Sequence, residues 1–148
     1  MGAAHERAAP APLVERLRVV HLKMVDAVLS GEGLGRVAEL AAEAAGSPVA
    51  IVIPRLGPAA LSPGAQTDVG ALRRYVGDRA RGRPASVPPG IGGEVPIASG
   101  DETIGRVLLL GEPDEEGLEF LHLAAVASAA TSGCACKVSS PDSPVRIL

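Results

Sequence analysis

An α+β layer fold is what this sequence predicts, and three observations predict it. Residues 93–111, GEVPIASGDETIGRVLLLG, read as two paired strands joined by turn chemistry at Ser99-Gly100-Asp101-Glu102. Amphipathic runs of helical period stand near both ends of the chain. The elements follow the order helix, helix, strand, strand, helix, short strand, hairpin, helix, which calls for mainly antiparallel pairing. A chain of 148 residues makes one domain, able to bury about two thirds of its unfolded surface without disulfide or metal staples.

Each element has its own warrant. Residues 1–12 are an Ala/Pro-rich lead expected to be flexible. From residue 13 the apolar positions Leu13, Leu17, Val20, Met24 and Val28 recur at helical spacing. Val14, Val25 and Leu29 widen that stripe, while Glu15, Arg16, Arg18 and Asp26 fall mostly off it. Ser30-Gly31-Glu32-Gly33 ends this helix with glycine where a left-handed cap is wanted. A second helix is expected over 34–45 with Leu34, Val37, Ala38, Ala41 and Ala45 inward, stopped by Gly46. Residues 49–53 are five apolar residues between Pro48 and Pro54, the pattern of a short buried strand, and 59–62 can return beside it. Asp68 is a good N-cap for a middle helix reaching about Ala80 on the stripe Val69, Leu72, Val76 and Ala80, with Tyr75 beside it. Ala85-Ser86-Val87 is expected to form a brief edge strand.

In the hairpin, Pro96 cannot donate to a ladder, so residues 94–98 belong at an edge. Their partner ends in Val107-Leu108-Leu109-Leu110, an unbroken apolar run that predicts burial on both faces, with helices over at least one. Pro113 and the carboxylates Asp114, Glu115 and Glu116 open a last helix. Its main stripe is Leu118, Leu121, Ala125 and Ala129, and Leu123, Ala124, Ala127 and Ala130 make it apolar nearly all round. Gly133 is expected to end it, leaving residues 132–148 as a flexible tail.

Composition narrows the function classes. A net charge of −3 with 21% charged residues supplies no field that argues for nucleic acid or an anionic membrane. Tyr75 and Phe120 are the sole aromatics, a poor supply for a pocket that must sandwich a nucleobase, flavin or tetrapyrrole. Twelve arginines against Lys23 and Lys137, with abundant Ala, Gly and Pro, look like a GC-rich bacterial coding bias. No signal-peptide core and no membrane-length apolar run is visible, so a cytoplasmic location with reduced thiols is expected.

The segment VPIASGDETIGRVLLLG followed by PDEEGLEFLHLAAVASAA resembles the closing half of a GAF domain. LVERLRVVHLKMVDAVLSGEGLGRVAELAAEAAGSPVAIVIP resembles its opening half. The nearest flavour is the sensory domain found ahead of the DNA-binding region in PucR-like and sugar-diacid-regulator-like bacterial transcription factors. The resemblance spans residues 13–131 and rests on hydrophobic and glycine patterns, which speak to fold more than to function. It implies a GAF-like five- or six-stranded antiparallel sheet with flanking N- and C-terminal helices, and a small-molecule pocket on one sheet face under the middle helix. It also implies dimers built from the terminal helices and a place in signal transduction or transcription regulation. The cyclic-nucleotide signature and the bilin-attachment thiol of other GAF domains are not found, and no helix-turn-helix region follows Thr131, so direct DNA binding is not expected.

Residues that could carry chemistry are few. Cys134 and Cys136 are too close for a relaxed disulfide and have no second cysteine pair, while His5, His21 and His122 are scattered, so neither a metal nor another cofactor is expected. No Ser/His/Asp constellation or phosphate-cradling loop appears, and no catalytic residue is assigned. Arg73, Arg74, Arg79, Arg81 and Arg83 form the densest basic cluster; the bland reading is a solvated face, the sharper one an anion anchor at Arg79 or Arg83. These observations lead to a non-enzymatic regulatory domain that forms a homodimer. The contact is expected at Leu13, Leu17, Val20 and Met24 on the first helix and Leu121, Ala124 and Ala127 on the last. Ligand binding is left open by the sequence; an unidentified small ligand, where one binds, is expected against Leu72, Tyr75, Val76, Val87 and Ile97, with Arg79 as the polar anchor. The alternative is a ligand-free dimerisation module or one that docks a regulatory protein.

Overall fold

The computed structural model describes residues 12–112 and 114–139, with side chains in the last helix described as far as Thr131. The lead over 1–11, Pro113 and the tail beyond Ser139 lie outside the described residues. Helix α1 spans Leu13–Leu29 and α2 Leu34–Ala45. Between them Gly31 and Gly33 take φ of +76° and +85°, a turn that side chains with a Cβ rarely allow. Gly46 closes α2 in the left-handed conformation, as expected for a terminal glycine. Strand β1 (Val49–Val52), a 3₁₀ turn at Pro54–Leu56 and the two-residue β2 (Ala60–Leu61) follow. Ser62 ties β2 down: its backbone N–H donates to the Val49 carbonyl at 2.9 Å and its hydroxyl accepts from the Val49 N–H at 3.0 Å.

Helix α3 spans Val69–Ala80, and the Asp68 carboxylate caps it by accepting from the Ala71 N–H at 3.1 Å. Strands β3 (Gly93–Ser99) and β4 (Glu102–Leu109) form the hairpin, and α4 runs over Glu115–Ser139. The sheet is antiparallel with order β2-β1-β4-β3, so β3 with Pro96 is an edge strand and β4 is interior. A register shift between Ile97 and Ala98 leaves Ile104 without an opposite number. That irregularity turns Ile104 onto the face already occupied by Val107 and Leu109.

Helices cover both faces. On one, Val49, Ile51, Val95, Ile97, Val107 and Leu109 pack with α2 and α4, and α1 in turn packs on those two helices. On the other, Ala50, Val52 and Leu108 pack against Leu72, Tyr75 and Val76 of α3. This double cover accounts for the unbroken apolar run of β4.

Three expectations are corrected. The sheet has four strands among the described residues, not five or six. Ala85-Ser86-Val87 pairs with nothing, because Pro84, Pro88 and Pro89 remove ladder donors around it. Helix α4 does not stop at Gly133 but continues to Ser139. A lone glycine costs a helix only about 1 kcal/mol, and the next proline is Pro141. Residues 132–139 are therefore helical backbone.

Candidate functional site

Helical period and strand alternation converge on one polar cluster. Tyr75 and Arg79 lie one turn apart on α3, and the Arg79 guanidinium donates to the Tyr75 hydroxyl at 2.9 Å and stands 5.7 Å from its ring centroid. Glu94 and Arg106 face α3 from β3 and β4, because they share the alternation parity of Leu108. Arg106 donates to Glu94 Oε1 at 3.0 Å, and the Tyr75 hydroxyl donates to Glu94 Oε2. Arg79 stands 3.9 Å from the same Oε2. One carboxylate is thus held by a phenol and two guanidinium groups. The Arg106 and Glu94 side chains are only 14% and 21% exposed, which strengthens these contacts over surface pairs. Burial pushes the Tyr75 phenol above its ordinary value, the hydrogen bond to Glu94 and its charge add to the rise, and Arg79 and Arg106 oppose it.

The structure separates the residues expected to line a ligand pocket. Leu72 and Val76 fill the space between α3 and the sheet, together with Tyr75, which is 2% exposed. Ile97 lies on the opposite sheet face, beneath the helices, since strand alternation carries it away from Glu94. Arg79 is already engaged by Tyr75 and Glu94. Val87 is exposed and borders an open depression of about 390 Å³ beside α3, formed by Ala71, Arg74, Tyr75 and Asp78 with residues 84–89. Of the six expected residues, only Tyr75 and Val87 meet there. Glu94 and Arg106 went unnoticed; a charged residue at an inward-alternating strand position was the available signal.

The expected dimer contact is corrected as well. Met24, Leu121, Ala124 and Ala127 are buried in the chain's own core, Val20 is half-buried against it, and Leu13 and Leu17 are half-buried. The apolar surface that α1 leaves outward is instead Val14, Leu22, Val25 and Leu29, at 76, 53, 37 and 80% exposure, with Val19 at 41% off to one side. His21 and His122 are exposed, and no group of three or more His, Cys, Asp or Glu able to hold a metal ion occurs among the described residues. The side chains of Cys134 and Cys136 lie outside the described ones. No described helix is long and apolar enough to cross a membrane. Compared with protein-family models, with curated proteins and with solved structures, the chain matches none.

Proposed function

We propose that this chain is a non-enzymatic regulatory domain of GAF-like type that acts in the bacterial cytoplasm as a homodimer, pairing through the outward flank of α1. The observation that carries this reading is the stripe Val14, Leu22, Val25 and Leu29. At 100° per residue these four fall within an arc of about 80°, with Arg18 among them held by Glu15 at 3.1 Å, a mainly apolar face that a second copy of the same helix can cover about a two-fold axis. The filled space beneath α3 and the internal pairing of Arg79 favour an assembly role over an enclosed small-ligand site. The most enclosed ionisable side chains satisfy one another, which supports a role without catalysis.

Sedimentation equilibrium on purified protein tests it. A dimer is expected, and Leu22→Glu with Leu29→Glu should give a monomer of unchanged circular dichroism, since both side chains are exposed. A wild-type chain that stays monomeric at high micromolar concentration would sink the proposal. Native mass spectrometry of the same sample is expected to show no retained small molecule; extra mass that leaves on denaturation would bring back the sensor reading.

A further inference from the structure

Arginine charge in this domain is distributed unevenly. Arg18, Arg36, Arg79 and Arg106 each have a carboxylate partner, as does Arg16 with Glu116 at 2.7 Å. Arg73, Arg74, Arg81 and Arg83 have none among the described residues, and all four are exposed on α3 or the turn that follows it. Residues 68–83 carry five arginines against Asp68 and Asp78, a net +3, whereas the whole chain is −3, which leaves −6 on the rest. Arg81 at the C-terminal end of α3 is favoured by the helix dipole, but Arg73 and Arg74 have no such offset and repel their cationic neighbours.

Beside this face lies the depression of about 390 Å³, with Arg74 on its rim and Val87, Pro84, Pro88 and Pro89 in its wall. We propose that the outer face of α3 docks a short acidic segment of a partner protein, with its carboxylates on Arg73, Arg74, Arg81 and Arg83 and one apolar side chain in the groove beside Tyr75 and Val87. A 12-residue helix is about 18 Å long, the reach of five or six extended residues. A nucleic acid would overrun so short a patch onto acidic surface, and its phosphates have no use for a proline-walled groove. Residues 1–11 contain one Glu and one Arg and residues 140–148 one Asp and one Arg, so neither stretch supplies complementary charge. The face is separate from the proposed dimer contact, since α1 and α3 lie on opposite sides of the sheet.

The probe is a fluorescein-labelled Glu-Glu-Leu-Glu-Glu peptide, followed by anisotropy with the full chain. Saturable binding is expected that weakens at least about tenfold between low and moderate salt, as screening of several charge pairs requires. Arg73→Gln with Arg74→Gln should weaken it by about tenfold or more, replacing the peptide's Leu with Ser should weaken it severalfold, and Arg18→Gln on α1 should leave it unchanged. All these arginines are exposed, and circular dichroism checks that the variants fold. The proposal is overturned by the absence of saturable binding at low salt or by undiminished binding to the Arg73/Arg74 variant. It is equally overturned if a DNA duplex binds as tightly as the peptide, or if the variant abolishes self-association, which would make the occupant a second copy.

Discussion

Gly105 and Tyr75 are both constrained by close neighbours. A Cβ on Gly105 would stand 2.2 Å from the Val52 carbonyl oxygen and 2.9 Å from Ile53 Cγ1, at the end of the ladder between β1 and β4, one residue beyond the Val52–Arg106 pair. Backbone on one side and a buried side chain on the other leave no cheap relaxation. Gly105→Ala is expected to destabilise the fold by roughly 3 kcal/mol, read as a lower urea midpoint. Tyr75 is the single tyrosine, so its titration can be followed directly by tyrosinate absorbance. Folding raises its pKa, so the stability it contributes is whole below the ordinary tyrosine value of about 10 and is lost as pH rises through the raised one. The absorbance titration should inflect above that of a free tyrosine. The urea midpoint should fall on the alkaline side in wild type and more weakly in Tyr75→Phe. An inflection at the free value would contradict the burial of this phenol beside Glu94.

At the scale of elements, α4 shows how an all-round apolar helix is used. Its sequence invites a subunit interface, yet one side packs on β3 and β4 and others on α2 and α1, so Leu121, Ala124 and Ala127 are consumed within the chain. The small residues serve close approach of helices inside one domain. Ala127→Glu therefore acts on folding: burying an unpaired carboxylate at a position 8% exposed should cost several kcal/mol and abolish cooperative unfolding or lower its midpoint sharply. A folded, monomeric Ala127→Glu protein of wild-type stability would restore the residue to an intersubunit contact. Helix α1 behaves oppositely. It packs on other helices, so one flank of its broad apolar surface is left uncovered by its own chain.

For the molecule as a whole, the layers assign two surfaces to two sides. The α1 flank is apolar, and the α3 face is cationic with a groove beside it. If the two act independently, the Leu22→Glu, Leu29→Glu monomer should still bind the acidic peptide with the wild-type constant per chain. A loss of peptide binding on monomerisation would mean that the two surfaces are coupled through the fold.

Helices, both hairpin strands and the edge position of β3 were legible in the sequence because they depend on local signals: helical period, glycine at the ends of α1 and α2, Asp68 as a cap and Pro96 as a barred donor. The end of α4 was not, since the isolated Gly133 is too weak a stop within an Ala-rich run. Which apolar residue faces which layer was decided only by the tertiary structure. Ile97 and Glu94 are three residues apart and point to opposite faces, and Met24 and Val25 are neighbours of which one is core and the other surface. Likewise, the sequence marked Arg79 as a candidate anchor, but its partner Glu94 lies on another element, and only the packing of α3 against the β3–β4 hairpin brings that carboxylate to it. Local propensity is written in short windows; pairing between elements depends on distances that no window contains.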